Sequence, residues 1–491
     1  MSQSSLDAVV VGSGPNGLTA AIVLARAGLS VQVFEAQDTL GGGLSSAALT
    51  LPGYVHDICA AVFPMAVISP LLRALPLHEH GVRWLYPEVS LAHPFADGTA
   101  AMIAPSLLAT ADSLGADGRA YRRIFEPLLA AREALWPELL APLHLPRHPV
   151  ALVRFGLQAW RSAAGFARGH YKEGRAQALF AGCAAHGAMP LSKLFTAAMG
   201  LVLGMSAHAP GWPIPEGGAQ RIADALLAYA RSLGVTFVTQ HRVTQMDRLP
   251  PARAYLFDVS PVQLAEIAAA RLPPSYCARL RRYRYGPGAF KLDWALSAPI
   301  PWRAAECRAA STVHVAGTLA EVAAAEAAIW AGELPAKPFI LVAQPSLLDP
   351  SRAPPGRHTG WAYAHVPSGW TQDLTALIEA RIEEFAPGFR DTILARSALS
   401  PAALERHNPN YVGGHILGGV ADITQLFTRP VARWNPYSTP EPSIFLCSSS
   451  TPPGAGVHGM CGYYAARTAL ARRFKANRSI PATTAARFTA G

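Results

Sequence analysis

The sequence predicts an α/β fold: a Rossmann-type dinucleotide-binding domain with a mixed α+β substrate domain interleaved into it. Three observations carry this expectation. The apolar run Val9-Val10-Val11 ends in the turn Gly12-Ser13-Gly14-Pro15-Asn16-Gly17, a G-x-G-x-x-G pattern, and Leu18 to Ala27 follow with apolar residues at helical spacing. A second apolar run, Leu29 to Phe34, ends on Glu35, close to the spacing of about 20 residues at which such folds place a carboxylate for a ribose diol. Near the other end, Ser443 to Cys447 reads as a strand, Ser448 to Met460 as a Gly/Pro-rich turn and Cys461 to Arg472 as a helix.

The first turn explains itself residue by residue. Gly12 permits the tight bend, Gly14 lets the backbone approach a pyrophosphate, and Gly17 lets the helix pack against the strand. Ser13, Pro15 and Asn16 fill the turn and begin the helix, whose amides and positive dipole end face the phosphates. Glu35, with Ala36 beside it, is the candidate ribose contact.

Composition limits the alternatives. Hydrophobic residues make up 51% of the 491-residue chain and charged ones 15%, which fits a large packed core. The net charge of +10 suits anionic phosphates, and no nucleic-acid-binding motif accompanies it. Six scattered cysteines (59, 183, 277, 307, 447, 461) form no C-x-x-C pair and show no metal-ligand spacing, so reduced thiols and no metal site are expected. The chain enters its first strand almost at once and has no apolar run of spanning length, so a cytoplasmic location is the expectation.

The intervening segments can be taken in order. Gly41-Gly42-Gly43-Leu44 follow Glu35, and Ser46 to Leu51 looks like a strand. Phe95-Ala96-Asp97-Gly98-Thr99 reads as a hairpin turn, and residues 120–135 as a helix stopped before Pro137. Arg147, Arg154, Arg161, Arg168 and Arg175 recur at every seventh position, offset from Val150, Val153, Leu157 and Trp160. On one helix this gives a basic stripe beside an apolar one: either a membrane-surface or lid helix that admits lipophilic substrates, or an amphipathic helix with solvated arginines. Residues 176–207, small and apolar, suggest buried helices lining an apolar cavity. Residues 221–232 read as a helix and 234–238 as a strand, and Ala254 to Phe257 as a strand turning at Asp258 to Pro261. Strands at 288–296, 339–343 and 359–366, with helices at 319–331 and 374–385, build the substrate domain.

The glycine turn, the acidic strand end and the following Gly-Gly pair resemble the extended FAD motif of the glutathione-reductase-like flavoproteins. Leu51-Pro52-Gly53-Tyr54-Val55-His56-Asp57 and Asn408 to Gly419 are similar to the phytoene desaturase and amine oxidase-like branch. Within that branch the likeness extends to the carotenoid–retinoid oxidoreductases and the pyridine nucleotide-disulfide oxidoreductase domain-containing proteins. The resemblance implies FAD as cofactor and a glutathione-reductase-like FAD domain. It places Gly42, Gly43 and Leu44 beside the pyrophosphate and ribityl chain, and the backbone of Val243 at the adenine. Ser449, Gly456, Val457 and His458 would then close over the flavin. Ser45 stands where many members carry an arginine, and His415 where an aspartate is expected. The implied division is 1–100, 213–265 and 436–475 for the FAD domain, 101–212 for a helical substrate or lid region, 266–435 for the substrate domain and 476–491 for a flexible tail.

These features point to a flavin-dependent oxidoreductase that transfers hydride to or from a lipophilic, polyene- or isoprenoid-like substrate, as a desaturase, saturase or isomerase does. A separate electron acceptor is expected, because only one dinucleotide fingerprint is present. Polar candidates near the flavin are His56, Asp57, His365, His415 and His458, with His458 the catalytic candidate beside the flavin itself. An amine oxidase-type reaction, with Lys291 as its candidate lysine, and a flavin-binding regulatory protein with little turnover are the alternatives. The arginine-rich stretch 147–175 adds a peripheral membrane contact to the expectations.

Overall fold

The computed structural model of the chain describes residues 6–474. The tail expected at 476–491 lies outside the described residues.

The strands of three residues or more are β1 (Leu6–Val11), β2 (Val31–Phe34), β3 (Val89–Pro94), β4 (Ala100–Ile103), β5 (Thr236–Val238), β6 (Ala252–Phe257), β7 (Gly288–Leu296), β8 (Ala310–Val315), β9 (Ile340–Ala343), β10 (His358–Val366), β11 (Ile393–Leu399) and β12 (Ile444–Leu446). They form two main sheets. The first is parallel throughout, in the order β12-β6-β1-β2-β5. Helices on both faces bury it, which is why the strand segments 8–11, 254–257 and 444–446 are unbroken apolar runs rather than alternating ones. The second has seven strands, in the order β11-β7-β10-β9-β8-β3-β4, antiparallel except where β3 runs parallel to β8.

The first sheet draws on both ends of the chain and on a middle segment, and the helices Pro15–Arg26 and Met460–Ala469 bring those ends together. A Cβ on Gly462 would fall deep inside the radius of the Asn16 carbonyl oxygen, so only glycine allows this approach. Thr19 Oγ1 closes the contact by donating to the Gly459 carbonyl at 2.9 Å. The helix Gln220–Ser232 packs on the same side through Ile222, Ala225 and Leu226.

Several expectations need correction. Residues 89–103 belong to the second sheet, not to the FAD domain expected up to 100 or the helical region expected from 101: Val89 pairs with Ala310 and Leu91 with Thr312, and this apolar hairpin adds the last two strands to that sheet. Residues 266–282 pack with the first sheet, because Leu272, Tyr276, Cys277 and Leu280 share a core with Val9, Val11 and Phe257. Only Ser46–Ala47 of the expected 46–51 strand is paired, against His56–Asp57. The expected 120–135 helix is two helices, Gly118–Ala130 and Arg132–Leu139, and the second continues through Pro137. Pro137 forfeits the bond its amide would make to the Glu133 carbonyl, and the helix ends two residues later at Leu139. The arginine-rich stretch is also two helices, Pro149–Ala159 and Ala163–His170, because Ser162 caps the second with its hydroxyl on the Gly165 amide at 3.1 Å. Its seven-residue repeat therefore forms no continuous stripe. The helices Gly174–Ala185 and Thr196–His208 are buried as expected, but a groove of about 960 Å³ lies elsewhere, between Gly118–Leu139 and Pro149–His170.

Gly462→Ala places a methyl group against the Asn16 carbonyl and must push the two terminal helices apart. We expect a stability loss of about 1–3 kcal/mol, the usual cost of overpacking a close contact. A thermal melt reads this directly, and an unchanged midpoint would show that the contact can relax freely.

Candidate functional site

The glycine turn and Glu35 are one hydrogen-bonded unit. Ser13 donates to Glu35 Oε2 through its amide at 2.8 Å and its hydroxyl at 2.6 Å, and the Gln37 amide donates to Oε1 at 3.0 Å. The Gly41 amide donates to the Ser13 hydroxyl at 3.1 Å, tying the second glycine cluster to the first. A Cβ on Gly42 would lie 3.0 Å from the Gly14 Cα, so the two turns are stacked without room for side chains. The His241 amide donates to the Glu35 carbonyl at 2.8 Å, which brings Val243 into the core shared with Val9, Val11 and Phe34. Ala36 is exposed beside this group, whereas Leu44 and Ser45 are buried beneath it.

Buried polar atoms at this cradle lack a protein partner, among them the side-chain oxygen of Asn16 and the hydroxyl of Ser448. A site open to close backbone approach, with unpartnered polar atoms at the starts of both terminal segments, has the chemistry of a dinucleotide seat.

The C-terminal turn divides its residues by exposure. Gly456 is exposed and adopts φ +117°, while Ser449 and Val457 are half-buried. His458 is fully buried. Its Nδ1 accepts the Met460 amide at 3.0 Å and its carbonyl accepts the Ser69 hydroxyl at 2.7 Å. Burial pulls its pKa down to about 4, against weaker support from the Gly454 and Ala455 carbonyls. The imidazole is thus neutral, with Nδ1 engaged at the helix start and Nε2 buried without a protein partner.

The second sheet has two unlike faces. One is apolar: Phe290, Leu292, Trp294, Val313, Ile340 and Val342 pack under Ile378 and Ile382. On the other, strand alternation sets out polar and aromatic side chains in rows. Lys291 sits opposite Tyr363, which sits opposite Leu341, which sits opposite His314; Asp293 pairs with Trp361, then Ala343 and Thr312. The Trp361 indole donates to the Cys59 carbonyl at 3.0 Å, so this face looks onto the chain that leaves the glycine cradle.

Its left portion, as defined by Lys291, is a balanced ionic cluster. Lys291 is bonded to Asp293, and Arg352 to Asp57, all of them buried. Burial raises the pKa of Asp293 to about 6, opposed chiefly by Lys291. Burial, then Lys291 and Arg352, lowers that of His56 to about 3, so its 3.6 Å contact with Asp293 is not an ion pair. The other portion is histidine-rich. His186 and His314 meet Nε2 to Nε2 at 2.7 Å, and His93 donates from Nε2 to the Gly317 carbonyl at 2.6 Å. Gly182 makes room for both rings, since a Cβ there would collide with His314 Nδ1 and lie 3.1 Å from His93 Nδ1. His365 pairs with Glu326 at 2.8 Å nearby. Burial lowers the pKa of His186 to about 3 and that of His93 to about 4, and drives His314 down further with help from its histidine neighbours.

Of the sequence candidates, His56, Asp57 and His365 share this polar face, whereas His415 does not: its Nδ1 bonds the Pro287 carbonyl at 2.8 Å, behind Gly286. Four contributors went unforeseen. Asp258, at the end of β6, bonds the Gly17 amide at 2.9 Å and packs on Gly12 and Gly14. His407 reaches Ser45 at 3.3 Å, placing an imidazole where the resemblance called for arginine. The Tyr411 hydroxyl lies 2.5 Å from where a Gly43 Cβ would sit. The His93–His314–His186 set depends on β3 pairing with β8, far apart in sequence, and on the helix Gly174–Ala185 packing against them. An acidic residue at the carboxyl end of a parallel strand was the available signal for Asp258.

A parallel dinucleotide-binding sheet joined to a large mixed sheet, with a buried polar face between them, defines an oxidoreductase-type fold. Residues 10–75 match the NAD(P)-binding Rossmann-like domain family. The chain is 27% identical to mouse pyridine nucleotide-disulfide oxidoreductase domain-containing protein 2, over 94% of this chain and 92% of that one. It is 28% identical to a phytoene dehydrogenase of Streptomyces griseus, over 79% and 77% of the two chains. In fold it is similar to an oxidoreductase from Methanosarcina mazei (TM-score 0.63, 16% identity, 95% of this chain and 100% of that chain). It is also similar to a redesigned putrescine oxidase (TM-score 0.61, 17% identity, 95% and 98%). These likenesses to oxidoreductase-type proteins extend over most of the chain.

Asp258 supplies a pH test of the cradle. Burial raises its pKa from 3.8 to about 7, with the Gly17 amide opposing and Glu35 adding to the rise. A raised carboxyl pKa means that its contribution to stability is fully present below about pH 4 and is lost as pH climbs through about 7. Asp258→Asn keeps an acceptor for Gly17 but cannot ionise. The stability of wild type minus variant, from denaturant melts, is expected to fall across that window. A constant difference would place the ionised carboxylate comfortably in the site.

Proposed function

We propose that the chain is an FAD-dependent oxidoreductase that transfers hydride to or from a lipophilic, polyene- or isoprenoid-like substrate. The observation that carries this reading is the two-sidedness of the second sheet. The face toward the glycine cradle is walled by Trp361, Tyr363 and Phe339 and by histidines that burial keeps neutral at pH 7, while its charged cluster is internally paired. Such a wall offers a lipophilic molecule contact area and no uncompensated charge.

Gly12 to Gly17 and Gly42 to Leu44 would hold the pyrophosphate side of FAD, Glu35 the ribose and the Val243 backbone the adenine. Ser449, Gly456 and Val457 would cover the flavin end. When bound, FAD supplies the two-electron chemistry, acting as hydride donor or acceptor. The protein's part is position and exclusion of water: Trp361 fixes the Cys59 segment, and Gly182 lets His314 and His93 close the far wall. Burial raises the Cys59 thiol pKa to about 11, so it stays protonated and offers no thiolate. A separate acceptor completes the cycle.

An amine substrate is the second reading, carried by Lys291. It lies on this face opposite Tyr363 and 5.9 Å from the centre of a Trp361 ring. Its ammonium is bonded to Asp293, however, which favours a structural role over one at the reacting atoms.

Purified protein is expected to be yellow and to release FAD on denaturation; a colourless protein that takes up no flavin would end this reading. Glu35→Ala should weaken FAD binding by about 1–3 kcal/mol, the cost of a lost charged hydrogen-bond partner. Unchanged affinity would remove Glu35 from the ribose site. Anaerobic bleaching by polyenes but not amines supports the lipophilic reading, bleaching by amines alone supports the second, and bleaching by neither favours a binding protein without turnover.

A further inference from the structure

The helix Pro149–Ala159 is turned the wrong way for a soluble surface. It buries only Phe155 and Ala159 and half-buries Ala151 and Leu152, while Val150, Val153 and Leu157 face outward. Val150, Val153, Leu157 and Trp160 are each more than half exposed, and Leu143 and Leu145, in the preceding loop, are 75% and 93% exposed. Positions 150, 153, 157 and 160 recur at helical spacing, so the four lie along one side, and the loop residues extend that side toward the chain's N-terminal direction. Scattered exposed apolar residues are ordinary, but a continuous stripe of this kind marks a contact surface.

The charge of the same segment says what covers it. Residues 139–172 contain four arginines (147, 154, 161 and 168) and Lys172 but no aspartate or glutamate. Among the described residues, none of these five cations lies within ion-pair distance of a carboxylate, and Arg147 and Arg154 stand among the apolar residues of the stripe. A second copy docking this face about a two-fold axis would bring arginine against arginine. Arginines at the edge of an apolar stripe, with long stems able to lie along it and heads toward phosphates, match an anionic lipid surface instead. The loop is held in place for this: Glu138 accepts the Arg147 and His148 amides at 2.8 and 3.1 Å and pairs with His144 at 2.7 Å.

We propose that this face seats the protein on the surface of an anionic bilayer, with Leu143, Leu145 and the Val150–Trp160 stripe in the headgroup region and the arginines on lipid phosphates. No helix of the described residues is long and apolar enough to cross a membrane, so the contact is an in-plane one. The groove of about 960 Å³ opens at the same face, with Arg147, Val150, Arg154 and Leu157 on its rim and wall, and gives a lipid chain a route off the bilayer. The proposal stands without the flavin reading, since it concerns a surface remote from the cradle in sequence and tested by binding alone.

The test is co-sedimentation of the full chain with vesicles of phosphatidylcholine alone or mixed with phosphatidylglycerol. Binding is expected to the mixed vesicles, to weaken as salt is raised, and to fall about tenfold or more in Val153→Asp/Leu157→Asp. Both positions are exposed, so folding should be unaffected, and circular dichroism verifies that. Leu394→Asp, at an exposed apolar residue on the edge strand β11, should bind like wild type. Absence of binding to mixed vesicles, equal binding by the double variant, or a concentration-dependent dimer in sedimentation velocity that the double variant abolishes would overturn the proposal.

Discussion

The contact between the first and last long helices is the constraint on which the rest of the site depends. Gly462 lies against the Asn16 carbonyl with no space for a methyl group, and Thr19 bonds the Gly459 carbonyl beside it. Each helix begins at a glycine turn, so pressing the two together sets both turns on one side of the parallel sheet. Gly42 on Gly14 and Asp258 on Gly12 and Gly14 repeat the same economy of space. The cradle is thus made of backbone brought close to backbone, which only glycine permits at these points.

The second sheet extends that arrangement into chemistry. Its outer face is an ordinary apolar core under the helix Thr375–Glu383, while its inner face carries paired charges at one side and neutral histidines at the other. Burying charges is expensive unless they are paired, and here Asp57 has Arg352, Asp293 has Lys291, and each lowered imidazole pKa follows mainly from burial. The result is a polar lining with little net charge, suited to holding a lipophilic molecule close to the cradle. The exposed stripe at Val150–Trp160 is a separate, outward-facing apolar surface.

The dinucleotide half of the fold was legible because its rules are local. A glycine at the turn, an apolar strand and a carboxylate at the strand end each follow from residues within a short window, and β1, β2, β6 and β12 fall where the pattern put them. Strands β7, β9 and β10 were visible for the same reason. The hairpin β3–β4 was divided between the FAD domain and the helical region because only its long-range pairing with β8 decides the matter. The histidine set was hidden likewise: His93, His186 and His314 are neighbours through register and through Gly182, not through spacing. The arginine repeat was read as one helix, since the Ser162 cap interrupts it without disturbing the seven-residue spacing.

The central claim is that turns from the two ends of the chain form a single seat for one cofactor. Hydrogen–deuterium exchange with and without added FAD tests it most directly. The account predicts that FAD slows exchange together in the segments around Gly12–Gly17, Gly41–Leu44 and Ser449–Met460. Protection limited to the first of these, or absent from all three, would contradict it.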